Sequence, residues 1–410
     1  MNVRRSAAVL GAVAVIGTAT PATAAGPSAS ASPSAAHPSG LYGTADPKYD
    51  GVWRQSLAMI AQHTVGVTPS GKAVDWLAEQ QCSNGAFAAF RADTSKPCEG
   101  NVVFDTNATA AAAQALVAVG DHYGQARAAV EWLKGQQNED GGWSYTSVGP
   151  SDTNSTGVVI GALAAVGDDP AVLRSSGKTP YDLLTKWSIP CDEDGGGALA
   201  YQPDKKGKLV ANADATAAGV LGALGKGFVT NAGKAPEEGY VCANSAKKPT
   251  PKEVARNGAA YLSDATHDKG HLTSALPGAK DQPDYGNTAD AVVALAAQGW
   301  TKQATKPYAW LEKNALPWAK QSGPAAYAEL ILAAHAMGEN PHSFGGTDLV
   351  QALNATGPAP QPVKKPTGHE AAKSDKSDSD YGVWWIVGTG LVAGIGIGFL
   401  ISSRRKQHQP

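Results

Sequence analysis

One unit of sequence recurs along most of this chain. Recurrence constrains a fold tightly, because each copy must bury its apolar face against the next. The unit opens with a segment carrying Trp or Tyr followed by Leu, as at Trp76-Leu77, Trp132-Leu133, Tyr261-Leu262 and Trp310-Leu311. A Gln- and Gly-rich turn follows, QQCSNGAF at Gln80 to Phe87 and QQNEDGGWSY at Gln136 to Tyr145; a third copy, Cys191 to Tyr201, keeps only the acids and glycines. The second part opens with polar residues and runs into an Ala/Gly/Val stretch ending in Gly. Its copies are Asp105 to Gly120, Thr153 to Gly167, Asn212 to Gly227, Asn287 to Gly299 and Gly323 to Gly338.

Both parts read as helices of different kinds. Asp, Asn and Thr satisfy the free N–H groups of a first helical turn, and Gly takes the left-handed conformation after the last. The Trp-Leu helix keeps Lys, Glu, Asp and Arg on one face and is half exposed, whereas the Ala/Gly/Val helix carries almost no charge and is enclosed by neighbours. Inner helices are predicted to start near Asp50, Asn107, Asn154, Asp214, Asn287 and Pro324, and outer helices near Gly71, Gln125, Thr179, Pro251, Lys306 and Gly345. Six of each predict an all-α fold, an α6/α6 toroid (α/α barrel) over residues 41–356, closed on itself so that no terminal repeat needs a cap.

The ends of the chain read differently. Residues 1–24 have Arg4 and Arg5, a short apolar core and Ala22-Thr23-Ala24, the pattern of a cleaved secretory signal peptide. Residues 25–40 are a Ser/Ala/Pro-rich linker, and residues 357–382 a Pro/Lys/Ser/Asp stalk with too little apolar content to fold. Residues 383–401 carry no charge, about the length that crosses ~30 Å of hydrocarbon. Trp384 and Trp385 mark one edge, and Arg404, Arg405 and Lys406 follow in a tail, 402–410, that the positive-inside rule keeps cytoplasmic. The expected location is therefore the cell membrane, with a single-pass C-terminal transmembrane helix and the folded domain extracellular. Cys82, Cys98, Cys191 and Cys242 suit that oxidising side. Four cysteines allow three pairings, of which the local one, 82–98 with 191–242, is favoured. No Cys-x-x-Cys occurs and no His stands at ligand spacing, so no metal is expected. Lys+Arg 34 against Asp+Glu 36 leaves a net charge of −2, without the basic footprint that nucleic acid requires.

Gln137-Asn138-Glu139-Asp140-Gly141-Gly142-Trp143 fits a Q-x-x-x-G-x-W repeat, and Gln81 to Phe87 is a variant with Phe in place of Trp. On these residues the chain resembles the prenyltransferase/squalene-oxidase repeat superfamily of terpenoid cyclase-like α/α toroids, which includes the transcobalamin and intrinsic-factor-type carriers. The resemblance implies the toroid and leaves function open, because one toroid hosts unrelated activities.

Two functions are weighed on the residues present. Cyclases of this superfamily use an Asp-x-Asp-Asp acid; Asp192-Glu193-Asp194-Gly195 does not match it, and aromatics are only 7% of the chain, too few for a cavity that stabilises carbocations. Were the chain an enzyme, a divergent isoprenoid cyclase or prenyltransferase-like one outside the membrane, Asp290, Asp214 or Glu329 would be the acid. The leading expectation is binding without a cofactor. Asp105, Asn107, Asp152, Asn154, Asp214, Tyr285, Asn287 and Tyr327, at inner-helix starts, are expected to encircle one opening. Trp143, Tyr145 and Tyr201 are expected to join them from the adjoining turns. Amides, backbone N–H groups and aromatic faces suit a bulky neutral ligand, corrinoid-like by the resemblance or a glycan, passed to a membrane partner such as a transporter.

Overall fold

The computed structural model describes residues 38–100, 102–235, 239–244, 248–274 and 281–362. They belong to the compact unit Met1–Val363. The expected signal peptide, most of the linker, the membrane span 383–401 and the tail 402–410 lie outside the described residues, as does the stalk beyond 362.

Among the described residues the chain is mostly helical and toroid-like. In order come α1 (Gly51–Thr64), α2 (Gly71–Glu79), α3 (Thr106–Val119), α4 (Tyr123–Gly135), α5 (Thr153–Ala165), α6 (Pro180–Lys186) and α7 (Ala213–Ala223). Then follow α8 (Pro251–His267), α9 (Tyr285–Ala297), α10 (Thr301–Asn314), α11 (Leu316–Ser322), α12 (Pro324–Met337) and α13 (Leu349–Asn354). Two antiparallel hairpins, Leu199–Ala200 with Ala211–Asn212 and Leu272–Thr273 with Pro283–Asp284, run directly into α7 and α9.

Six helices pack in a ring, α1 on α3, α3 on α5, α5 on α7, α7 on α9, α9 on α12, and α12 back on α1. These are the Ala/Gly/Val segments. Helices α2, α4, α6, α8, α10 and α13 lie against them from outside. The sequence pattern misses α11, where Pro317 at the second helical position starts a new helix directly after α10. Small residues bring the inner helices together. A Cβ on Gly157 of α5 would stand 2.5 Å from the Ala218 carbonyl oxygen of α7. No described helix is long and apolar enough to cross a membrane.

One polar device joins each turn to the next inner helix. The cap residues Asp105, Asp152, Asn212 and Asp284 each accept an N–H three residues on. Four residues after each cap stands a Thr. Thr109, Thr156, Thr216 and Thr288 donate their hydroxyls to the cap carbonyl and accept the backbone N–H of Phe87, Trp143, Leu199 and Leu272 in the preceding turn. The turn's own Gln closes it from inside: Gln81 Nε2 donates to the Gly85 carbonyl and Gln137 Nε2 to that of Gly141. Gly85 and Gly141 both take φ near +90°, with a neighbouring carbonyl oxygen within 2.3 Å of any added Cβ, so only glycine fits.

Two disulfides, Cys82–Cys98 and Cys191–Cys242, tie down two of the turns, in the favoured pairing. They fit a domain that folds outside the cytoplasm. The described chain also continues past 356. Gly357 packs on the Tyr42 ring and the Gln361 N–H donates to the Thr68 carbonyl, so the first residues assigned to the stalk are part of the domain.

Candidate functional site

The inner helices start on one side of the ring, and the other side is closed. After α7 the chain at 225–235 touches inner helices α1, α3, α5 and α9. Lys226 Nζ donates to the Ala297 carbonyl and the Gly233 N–H to that of Ala296, both at the end of α9. Gly227 lies against Gly161 of α5, and Phe228 gives its N–H to Gln114 Oε1 of α3. The Phe228 ring meets Trp53 of α1 edge-on at 5.5 Å. A segment that reaches α1, α3, α5 and α9 crosses the middle of the ring. Trp53 is the third residue of α1, so on that side the floor rises to within one turn of the rim.

Above this floor the lumen is lined by two kinds of helix. In α3, α5 and α7 the second residue is polar (Asn107, Asn154, Asp214) and the sixth small or aliphatic (Ala111, Val158, Ala218). In α9 and α12 the order is reversed, with Gly286 and Ala325 second and Asp290 and Glu329 sixth. Gly286 makes the reversal possible: Glu329 Oε2 lies 3.1 Å, and Trp318 Cζ2 3.7 Å, from where its Cβ would be. The Glu329 carboxyl therefore reaches up from its own level to that of Gly286, into the same layer as Asn107, Asn154 and Asp214.

The electrostatics follow from this crowding. Asn154 Nδ2 donates to Asp214 Oδ2 at 2.5 Å. Burial, with Asp214 and Asp284 nearby, pushes the Asp290 carboxyl up to about 7. Glu329 is raised well above the ordinary range by burial first, then by Asp290, Asp284 and Asp214. Asp214 is itself raised by burial, against the pull of the Asn154 hydrogen bond. Asp290 and Glu329 keep some surface open to the lumen while protein surrounds them on every side. An aromatic wall adjoins them: Tyr285 stacks on Trp310 at 5.1 Å and on Trp318 at 5.6 Å, and Trp310 meets His271 at 4.3 Å. Among the described residues no group of three or more His, Cys, Asp or Glu is placed to hold a metal ion.

The structure sorts the expected site residues. Tyr145 and Tyr201 do stand at the rim, 49% and 41% exposed. Their phenols hydrogen-bond the Asp105 and Asp152 side chains, and Tyr201 is held up at about 12 by burial and by Asp152 and Asp214. Asp105 and Asp152 are themselves buried as caps, consumed by Ala108 N–H in one case and by Ser155 N–H and Oγ in the other. Trp143 is fully buried, its Nε1 donating to the Leu133 carbonyl at 2.6 Å. Tyr327 is buried as well, and Asn287 spends its amide N–H on the cap Asp284. These four (Asp105, Asp152, Trp143, Tyr327) do not face an opening. Asn154, Asp214, Asp290, Glu329 and Tyr285 come together, with Asn107 at the matching position of α3; Trp318, Gly286 and Asp284 join them unforeseen. Asp284 had a readable signal, since an acid four residues before Thr288 repeats the spacing of Asp105 to Thr109 and Asp152 to Thr156.

No family model matches this chain, and no curated protein matches it. Solved structures show a distant likeness in the helical toroid. An apo type II terpene cyclase from Scytonema is 13% identical over 73% of this chain and 93% of its own, with a TM-score of 0.46. A sugar epimerase from a ruminal bacterium is 14% identical over 68% and 81%, at 0.42. An alpha-amylase from Clostridium perfringens is 12% identical over 74% and 93%, at 0.44. At these identities the likeness concerns the fold alone.

Proposed function

We propose that this chain is an α6/α6-toroid binding protein that captures a bulky ligand, corrinoid-like or a glycan, on the rim where its inner helices begin. The reading includes the tether: residues 383–401 hold the domain at the outer face of a membrane, where the ligand passes to a membrane partner. The observation that carries it is the floor. With 225–235 crossing the ring and Phe228 against Trp53, the lumen is a shallow bowl instead of a deep apolar tunnel. Half-exposed tyrosines and helix-start amides edge that bowl, and such surfaces recognise large neutral molecules through aromatic contact and a few placed hydrogen bonds.

The test is native mass spectrometry of the mature, detergent-solubilised protein mixed with cobalamin or maltoheptaose. A bound mass with either is expected. Tyr201→Ala should weaken it about tenfold, the loss of one good aromatic contact. A second reading, a divergent isoprenoid cyclase or prenyltransferase-like enzyme, draws on Asp290 and Glu329, whose raised pKa suits a general acid. Turnover of geranylgeranyl diphosphate or squalene that Asp290→Asn abolishes, with no bound mass for either ligand, would replace the binding reading with this one.

A further inference from the structure

We propose that Asp290 and Glu329, with the Trp318 ring beside them, form a subsite for a protonated amine carried by the ligand. The inference rests on the rim reading for the rest of that ligand. No described residue donates a hydrogen bond to the Asp290 or the Glu329 carboxyl, although protein encloses both. In the same layer the Asn107 and Asn154 Oδ1 atoms are buried without a donor. Apart from the two Asn amides, one of which is spent on Asp214, the residues of this layer offer only acceptors, and buried polar groups rarely stay unpaired. An ammonium group is the complementary species, three N–H donors and no acceptor.

Charge and shape agree. The charges acting on the pair are Asp214 from α7 and Asp284 at the start of α9. Helices α1, α8, α10, α11 and α13 also pack on α9 or α12, and no described Lys, Arg or His from them acts on it. A bare metal ion does not fit, since the described carboxylates do not converge as ligands. Trp318 and Glu329 both lie against the Cβ position of Gly286, at 3.7 and 3.1 Å, so a ring that attracts cations is close to the Glu329 carboxyl.

The mature protein in detergent is titrated with n-butylammonium, n-butanol and calcium ion, followed by calorimetry and by Trp fluorescence, at pH 6 and pH 8. Saturable butylammonium binding is expected, with n-butanol and calcium at least tenfold weaker. The carboxyls must release protons to hold a cation, so affinity should rise about tenfold from pH 6 to pH 8. The variants Asp290→Asn and Glu329→Gln remove unpaired buried acid and should fold at least as well as the parent, as circular dichroism checks; each should lose butylammonium at least tenfold. Equal binding in these variants, a preference for calcium or butanol, or no saturable binding overturns the inference. Failure of cobalamin and maltoheptaose to bind while butylammonium does so overturns the rim reading instead.

Discussion

Helices α5 and α9 have almost the same ingredients and line opposite kinds of wall. Each is thirteen residues long, capped by an Asp, carries a Thr four residues after the cap, and is otherwise mostly small or aliphatic. Yet α5 presents Asn154 near its start and Val158 one turn below, whereas α9 presents Gly286 and then Asp290. Exchanging polar and small residues between two positions leaves a carboxyl without the amide neighbour that Asp214 has, and lets that of Glu329 rise beside Gly286. Asp214, on the α5 type of helix, has its Asn154 partner; Asp290 and Glu329, on the reversed type, have none among the described residues.

Three changes break or sharpen that contrast. The largest effect belongs to the double variant Asp290→Asn/Glu329→Gln, which makes the reversed wall neutral. A carboxyl whose folded pKa lies above its unfolded value near 4 binds more protons in the folded state between the two. The Asp290 contribution to wild-type stability therefore falls as pH rises from about 4 through 7, and the raised Glu329 acts in the same direction. The double variant should exceed wild type by roughly 4 kcal/mol at pH 8 from Asp290 alone, a gap that closes towards pH 4, as urea unfolding at both values would read. No gap at pH 8 would mean that the two walls do not differ electrostatically.

Next in size, Thr156→Val and Thr288→Val should each cost about 1–2 kcal/mol, because each strands a turn N–H inside the protein. Similar losses at the two sites would show that the frame is common to both kinds of helix. Markedly unequal losses would show that the reversal extends into the frame. The smallest change in stability is expected from Gly286→Ala. The helix gains up to about 1 kcal/mol of propensity, offset by pushing Glu329 Oε2 from its 3.1 Å approach. Thermal unfolding should barely move while the pH dependence of stability shifts, since Glu329 must swing out of the layer it shares with Asp214.

Much of the frame was readable in the chain. The six inner starts fall within a few residues of those predicted because caps, small residues and terminal glycines act locally. The site was readable only in part. Trp143 stands out in the sequence as the strongest motif residue and proves to be a buried wedge. Its indole is held by the Leu133 carbonyl of α4 and its backbone N–H by Thr156 of α5, contacts that the repeat pattern alone does not reveal. Tyr285 was placed correctly at a helix start, but its partner Trp318 sits on α11, a helix the period does not contain.

Local rules along the chain therefore determined the helices, their caps, the charge-free inner faces and the cysteines available to bridge. Only the closed ring decided that Asp290 and Glu329, thirty-nine positions apart, come within each other's electrostatic reach and that of Asp214, and that the segment after α7 becomes a floor. The physical reason is range. Capping and helix periodicity are satisfied within four residues, whereas desolvation and charge repulsion depend on which helices are brought face to face.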